Sequence, residues 1–358
     1  MKIVQLYLPD AGNEMVEEYV STLEKQMTRW TDFSTAHNAT ELREQLEGAD
    51  ILHCHGCWNA TIARALLSAQ KHGIRTVLSP HSQLEPWIIR KNYAQHKLPQ
   101  ILLWQRKAVK QAYAVVSAGK LETAGLQEIG WNKRIEIVRN AIVTSTTTDE
   151  RMAQEIYAIY RKIIDSDPLA RMNDDGRTLT KTLLKAGIAG DARWITNDAP
   201  NVNEKTWRQI FIFAHHENLN DVLLRGLDLM HIEHPAVDAE HISCYLPERY
   251  SRPLALAEAI KYEASEEAYL LSAVKFLHKE GITLRPLVDL SRELRREEYD
   301  EAKLIEELEN RHQSIFFTRL LQLLSEWTGL EEGFMPTTPL DDSRTEAMRQ
   351  TLENHLRI

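Results

Sequence analysis

Short apolar runs alternate with segments of helical period through the first 143 residues. The runs have the length of buried strands and lie at residues 1–8, 49–53, 75–79, 114–117 and 134–138. The segments of helical period lie at residues 14–27, 39–46, 61–72, 97–112 and 120–129. Strands that alternate with helices in this way pair in parallel, with helices on both faces of the sheet. The pattern therefore predicts an α/β domain.

The pattern changes after Val143. Residues 144–148 are polar, and from Glu150 onward nearly all apolar repeats have helical spacing. The ambiguous segment 206–214 places Trp207, Ile210 and Phe211 on one helical face, which favours a helix over a strand. A chain of 358 residues is long enough for two domains. We predict an N-terminal α/β domain over residues 1–143 and a mainly α-helical domain over residues 144–358.

Charge is shared unevenly between these two parts. Residues 1–143 hold 17 Lys and Arg against 14 Asp and Glu, and the remainder holds 26 against 38. Nucleic-acid binding requires clustered basic residues to neutralise phosphates, so the acidic second part argues against it. No run of 18 uncharged apolar residues occurs, and the first residues do not resemble a signal peptide. We expect a cytoplasmic protein that does not bind nucleic acid.

Two predicted strands end in turns that carry histidine, in the segments ADILHCHGCWN (49–59) and GIRTVLSPHSQLEPW (73–87). The carboxyl ends of parallel strands meet at the edge of the sheet where ligands bind. Cys54 and Cys57, beside His53 and His55, allow a zinc site or a redox dithiol. Because Cys244 is the one other cysteine, we favour buried structural cysteines and predict no metal.

Four segments of the N-terminal part resemble a known family in their order along the chain. ADILHCHGCWN, TVLSPHSQLEPW, AYAVVSAGKLETAGLQEIG and RIEIVRNAIV are similar to the N-terminal domain of GT-B glycosyltransferases of family four. These are retaining enzymes of bacterial capsule, lipopolysaccharide and exopolysaccharide synthesis. The resemblance implies a Rossmann-like sheet and a hexosyltransferase. It also implies transfer of a sugar from a nucleotide-sugar donor to a cell-surface glycan or lipid-linked acceptor, without a further cofactor.

The resemblance also implies roles for individual residues. His81, in the Ser-Pro-His turn, is the candidate catalytic residue that contacts the transferred sugar. The candidate substrate-binding residues are Gly12, Asn13, His55, Trp58, Ser82, Glu85, Trp87 and Asn140. Of these, the Gly12-Asn13 turn borders the donor phosphate, and the loop from Ser82 to Trp87 borders the acceptor. For each histidine a purely structural role stays open, and for His53 and His55 we favour it.

The family also has a second Rossmann domain, which carries two glutamates with seven residues between them and grips the donor nucleotide. We find no such domain in the sequence. Glu240 and Glu248 have this spacing, as do Glu258 and Glu266, but such pairs arise by chance in a glutamate-rich segment. A second class of function therefore stays open: a non-catalytic glycan-binding or scaffold protein derived from a glycosyltransferase.

Residues 87–111 interleave basic and aromatic side chains, among them Trp87, Arg90, Tyr93 and Trp104. This composition is typical of a face that contacts anionic lipid, and it would place the protein at the inner face of the membrane. The alternative, which we favour at this point, is an ordinary amphipathic helix with its aromatic side chains in the core. The sequence does not predict an oligomeric state.

Overall fold

The computed structural model describes residues 1–9, 14–193, 199–261 and 263–358. The chain forms two compact units, Met1–Ile164 and Asp165–Ile358. Helix Asp149–Asp165, which follows the predicted boundary at residue 143, lies almost entirely in the first unit. Its Tyr160 is fully buried and contacts His53 of the sheet. This long-range contact joins the helix to the first unit.

A six-stranded parallel sheet forms the centre of the first unit. Its strands are β1 (Lys2–Leu6), β2 (Asp32–Ala36), β3 (Ile51–His55), β4 (Arg75–Ser79), β5 (Ala114–Ser117) and β6 (Ile135–Ile137). They lie in the order β2-β1-β3-β4-β5-β6. The chain moves outward from β1 in one direction to β2 and in the other to β3. Ligands of open α/β sheets bind where the order reverses in this way, outside the carboxyl ends of the central strands.

Helices connect these strands and cover the sheet. They are α1 (Glu14–Met27), α2 (Ala39–Gln45), α3 (Ala60–Lys71), α4 (Pro86–Arg90), α5 (Leu98–Gln100), α6 (Arg106–Gln111), α7 (Lys120–Ile129) and α8 (Asp149–Asp165). Two π-helical turns, Tyr93–Lys97 and Ile101–Gln105, join α5 and α6 to the residues before them. The predicted α/β fold with a Rossmann-like parallel sheet is confirmed.

Strand β2 is the main element that the sequence pattern does not predict. It pairs with β1 alone, at the edge of the sheet, and buries only Phe33 and Ala36. An edge strand contacts the core through few side chains, so Asp32 and Ser34 can be polar without cost. The strand therefore lacks the apolar run by which buried parallel strands are recognised.

The described part of the second unit is helical and contains no β-strand. Its helices are α9 (Pro168–Arg171), α10 (Asp174–Ala189), α11 (Glu204–His216), α12 (Asn220–Met230), α13 (Leu256–Ala259), α14 (Glu266–Glu280), α15 (Leu284–Leu294), α16 (Glu301–Asn310), α17 (Ser314–Thr328) and α18 (Ser343–Glu353). Helix α11 confirms the helical interpretation of residues 206–214. No helix in the described ranges has the length and low polarity needed to cross a bilayer.

Helices α10 and α12 pack with their backbones almost in contact. A Cβ atom on Gly187 would lie 2.0 Å from the carbonyl oxygen of Val222, and one on Gly226 would lie 2.1 Å from that of Leu183. Only glycine fits at both positions, because a real Cβ atom does not approach an oxygen this closely. The crossing buries Leu183 and Leu223 in the core of the second unit.

Candidate functional site

Three histidines and two tyrosines meet at the carboxyl edge of the central strands. His53 and His55 are on β3, and His81 follows β4 through Pro80. The ring centroids of His53 and His55 are 4.3 Å apart, and those of His55 and His81 are 5.4 Å apart. Tyr19 of α1 packs edge-on against His81 with centroids 5.1 Å apart. The fold thus brings together residues from four elements at the position where the strand order reverses.

A hydrogen-bond relay through Gln5 and His55 fixes the tautomer of His81. The amide nitrogen of Gln5 donates to the carbonyl of Val20 over 3.0 Å and to Thr35 Oγ1 over 2.7 Å. Gln5 Oε1 is therefore the atom that faces His55 Nε2 at 3.2 Å, and it can only accept. His55 carries its proton on Nε2, and its bare Nδ1 accepts from His81 Nε2 at 3.1 Å.

It follows that neutral His81 carries its proton on Nε2 and a lone pair on Nδ1. Among the described residues Nδ1 has no hydrogen-bond partner. A small pocket lies beside the ring, lined by Tyr19, Ser79, His81 and Glu122 among others. The relay therefore presents a hydrogen-bond acceptor at the strand edge, and a hydroxyl group is the ligand that such an acceptor suits.

His53 belongs to a second, fully buried set of hydrogen bonds. Its Nδ1 lies 2.6 Å from the hydroxyl of Tyr160, and its Nε2 lies 2.8 Å from Ser79 Oγ. Tyr19 and Ser79 line the same small pocket. Both ring nitrogens of His53 are thus occupied by protein groups. These contacts support the structural role that the sequence favours for His53, and they brace the strand end that carries His55.

Burial keeps all three imidazoles neutral. It lowers the pKa of His81 to about 4, and burial together with the nearby His81 lowers the pKa of His53 to about 3. The pKa of His55 is held well below its usual value by burial and by the two neighbouring histidines. A charged imidazole would lose its hydration here without a counter-charge in contact. At neutral pH the site therefore acts through hydrogen bonds of uncharged rings.

The turn that carries His81 has an unusual backbone conformation. His81 and Ser82 have φ angles of 50° and 63°, both in the left-handed region that disfavours residues with a side chain. Glu122 holds this turn in place: its Oε1 accepts from the Ser82 amide over 2.5 Å, and its Oε2 accepts from the Ala118 amide over 2.7 Å. Burial raises the pKa of Glu122, while the two amide hydrogen bonds oppose that rise.

Sequence reasoning did not identify Gln5, Tyr19, Glu122 or Tyr160 as parts of the site. For Glu122 a signal existed, because an acidic residue in the first turn of a helix often accepts from amides preceding the helix. For Gln5, a buried polar residue in the middle of an apolar strand was the available signal. Tyr160 comes from α8, beyond the predicted domain boundary, and its contact with His53 spans 107 residues.

The predicted acceptor-side residues follow His81 along the chain. Ser82 is exposed, and Trp87 is 65% exposed. Glu85 precedes α4, and its carboxylate packs against α7 so closely that a Cβ atom on Gly125 would lie 2.6 Å from Oε2. A ligand beside His81 can thus reach Ser82, whereas the carboxylate of Glu85 is held against a helix.

The remaining predicted site residues differ in their surroundings. Asn140 is buried, and its Oδ1 accepts from the amide of Ile142 over 2.9 Å, which forms the turn after β6. Trp58 donates from Nε1 to the carbonyl of Gln83 over 2.7 Å, and Lys97 Nζ lies 3.8 Å from the centroid of its ring. Gly12 and Asn13 lie outside the described residues.

One family model matches the chain, over residues 18–141, and its description is "Glycosyl transferase 4-like domain". The N-terminal unit therefore carries a glycosyl transferase 4-like domain. The match includes the strand ends with His55 and His81 and the helix with Glu122. It confirms the resemblance to the N-terminal domain of family-four GT-B glycosyltransferases. Neither the curated proteins nor the solved structures contain a significant match to the chain.

Within this glycosyl transferase 4-like domain, Cys54 and Cys57 are buried thiols packed in the hydrophobic core. Burial raises the pKa of both, which disfavours the thiolate form that binds metals and reacts with oxidants. In the parts of the chain that the structure describes, no three His, Cys, Asp or Glu residues are grouped so that they could hold a metal ion. The surroundings of both cysteines are those of small hydrophobic side chains.

A wider depression lies in the second unit, beside α14. Basic and acidic side chains alternate around it: Arg252, Lys261, Lys275 and Lys279 against Glu258, Glu263 and Glu280. Its size exceeds that of the pocket beside His81, but its charged side chains are of both signs and include no buried polar cluster. The better candidate for a functional site is therefore the glycosyl transferase 4-like domain, where His53, His55 and His81 meet at one edge of the sheet.

Proposed function

We propose that the protein is a retaining glycosyltransferase of the hexosyltransferase type, with a nucleotide-sugar donor and a cell-surface glycan or lipid-linked acceptor. The observation that carries the proposal is the neutral His81 within the glycosyl transferase 4-like domain, with an acceptor nitrogen that no described residue occupies. Polysaccharide biosynthesis in the cytoplasm, at the inner face of the membrane, is the setting that this activity fits.

In this proposal His81 is the residue that touches the transferred sugar. Its Nδ1 accepts a hydrogen bond from a sugar hydroxyl, and because the ring is uncharged at neutral pH, it orients that hydroxyl without protonating it. His55 acts through His81 as a positioning residue. We assign Gly12 and Asn13 to the donor phosphate. We assign Ser82, Glu85 and Trp87 to the acceptor, and Trp58 and Asn140 to substrate binding.

A second function is favoured by one specific observation. Apart from residues 194–198 and 262, the second unit is helical and has no parallel sheet to grip a nucleotide. This observation suits a non-catalytic glycan-binding or scaffold protein. Such a protein would bind glycan through the edge that carries His81 and would not bind nucleotides.

Thermal unfolding of the full chain with a panel of UDP-, GDP- and TDP-sugars separates the two functions. A ligand that binds only the folded state at about 100 times its Kd adds about 2.7 kcal/mol to the free energy of unfolding, which raises Tm by several degrees. If the protein is a glycosyltransferase, Tm should rise with the sugars of one nucleotide class. A panel without any rise, together with a rise by oligosaccharides, would establish the glycan-binding function instead.

Substitutions at His81 test the proposed contact. His81→Ala removes the acceptor and should reduce sugar transfer by roughly a hundredfold, the usual effect of losing a contact made in the transition state. His81→Asn places an amide oxygen near the position of Nδ1 and tolerates the left-handed backbone, so it should retain part of the activity. The matched control is His72→Ala, at an exposed histidine after α3.

A further inference from the structure

The helical segment 101–111 of the first unit has two sharply different faces. Gln105, Ala108 and Val109 are buried, and they point toward the core at helical spacing. The outer face of the same segment consists of Leu102, Leu103, Arg106, Lys107 and Lys110. Leu102 and Leu103 are 76% and 75% exposed. Two adjacent leucines thus stand in solvent, one helical turn before a run of basic side chains.

The charge around this outer face has one sign. From Pro86 to Leu121 the sequence contains seven Lys and Arg and no Asp or Glu, although the whole chain has a net charge of −9. Arg90 pairs with Glu128 at 3.1 Å, and Lys97 covers the ring of Trp58. The three basic residues of the outer face make no ion pair with any described residue.

Two exposed aromatic residues lie in the same acid-free stretch. Trp87 is 65% exposed and Tyr93 is 44% exposed. Tryptophan and tyrosine are the side chains that favour the boundary between lipid and water, where the ring is apolar and its polar atom stays wet. Trp104, by contrast, packs against the core, as the amphipathic-helix alternative expects. Trp104 thus packs inward, whereas the rings of Trp87 and Tyr93 are exposed.

We propose that the outer face of residues 102–110 binds an anionic membrane surface. Leu102 and Leu103 enter the boundary between headgroups and acyl chains, and Arg106, Lys107 and Lys110 remain at the phosphates, because their long stems let the charges stay hydrated. A soluble polyanion would neutralise the charges but would leave the leucines in water. The exposed leucines therefore favour lipid. The proposal does not depend on the proposed glycosyltransferase activity.

Vesicle flotation of the full chain tests this inference, without donor or acceptor. The protein should float with vesicles of phosphatidylcholine mixed with phosphatidylglycerol and stay in solution with phosphatidylcholine alone. Replacement of Arg106, Lys107 and Lys110 by Gln should weaken binding by roughly a hundredfold, since each basic residue near an anionic surface contributes about fivefold. The double variant Leu102→Ser, Leu103→Ser should weaken it by at least about tenfold.

Matched variants control for net charge and for apolar surface. Lys25→Gln, Arg43→Gln and Lys71→Gln together remove three exposed charges from other helices of the first unit. Leu224→Ser with Leu254→Ser removes two exposed leucines of the second unit. Both controls should bind vesicles as the wild type does. Circular dichroism confirms that each variant is folded before its flotation is interpreted.

Three results would overturn the inference. The first is equal binding to vesicles with and without phosphatidylglycerol. The second is the absence of binding to either. The third is loss of binding in the charge variant but not in the leucine variant, because this would identify a polyanion site. Nucleotide binding is measured in a separate experiment. Absence of vesicle binding would therefore not contradict the proposed glycosyltransferase activity, and absence of that activity would not contradict the membrane-binding surface.

Discussion

At the scale of single residues, the site depends on one buried amide. Gln5 is fully buried in β1, and its two amide hydrogens and its oxygen have three separate partners. The carbonyl of Val20 can only accept, so the amide cannot rotate, and the protons of His55 and His81 are fixed in turn. A strand residue 76 positions before His81 thereby determines which nitrogen of His81 carries the proton and which keeps its lone pair.

Replacing Gln5 tests this relay. Gln5→Met keeps the length of the side chain and removes all three hydrogen bonds, so we expect a loss of about 2 kcal/mol in the free energy of unfolding. The ¹⁵N chemical shifts of the His81 ring should change from a single protonated Nε2 to a mixture of tautomers. Gln45→Met, at a partly exposed glutamine on α2, is the control. Unchanged His81 shifts in Gln5→Met would contradict the relay.

The histidine cluster also predicts how stability depends on pH. The pKa values of His53 and His81 are about 3 and 4 in the folded chain, against 6.5 for free histidine. Below pH 6.5 the unfolded chain binds more protons, so stability is complete above that pH and falls as the pH drops toward 4. At pH 5 each of these histidines costs about 2 kcal/mol.

Urea unfolding between pH 7.5 and 5 measures this loss. His216 of the second unit contributes with the same sign, because burial lowers its pKa to about 4. The slope of the free energy of unfolding against pH should become shallower by one proton in His81→Asn. A stability that does not vary over this pH range would show that the imidazoles of the cluster are not kept neutral by burial.

At the scale of elements, α7 holds the turn after β4. Glu122 lies in the first turn of α7 and accepts from the amides of Ser82 and Ala118. Glu122→Gln keeps only one acceptor oxygen, so one of these amides loses its partner. We expect sugar transfer to fall by about tenfold or more, with a loss of about 1–2 kcal/mol in stability. Glu128→Gln, an exposed residue of the same helix, should leave both unchanged.

The crossing of α10 and α12 gives a prediction for the second unit. Gly187→Ala and Gly226→Ala would each place a methyl group on a carbonyl oxygen of the partner helix, so the helices must move apart. We expect each to reduce the free energy of unfolding by about 3 kcal/mol, despite the higher helix propensity of alanine. Gly333→Ala, where no atom lies within 4 Å of the added Cβ, should be close to neutral. Equal Tm values for the three variants would contradict this packing.

At the scale of the whole molecule, the sequence predicts the fold better than it predicts the site. The alternation of short apolar runs with segments of helical period reveals the buried strands, because both faces of those strands must be apolar. This pattern does not reveal β2, because its position at the edge of the sheet permits polar residues such as Asp32 and Ser34. The site is harder to predict, because its contacts connect Gln5, His55 and His81 across three strand ends. Periodicity shows which residues are buried, but only the strand order shows which of them meet.

The central claim is that His81, within a glycosyl transferase 4-like domain, contacts a sugar during transfer. The most direct measurement is the release of nucleoside diphosphate from each nucleotide-sugar of the panel by the full chain, with and without a glycan or polyprenyl-linked acceptor. We predict release from one donor class, reduced by roughly a hundredfold in His81→Ala and unchanged in His72→Ala. Absence of release from every donor, or equal rates in the wild type and His81→Ala, would contradict the claim.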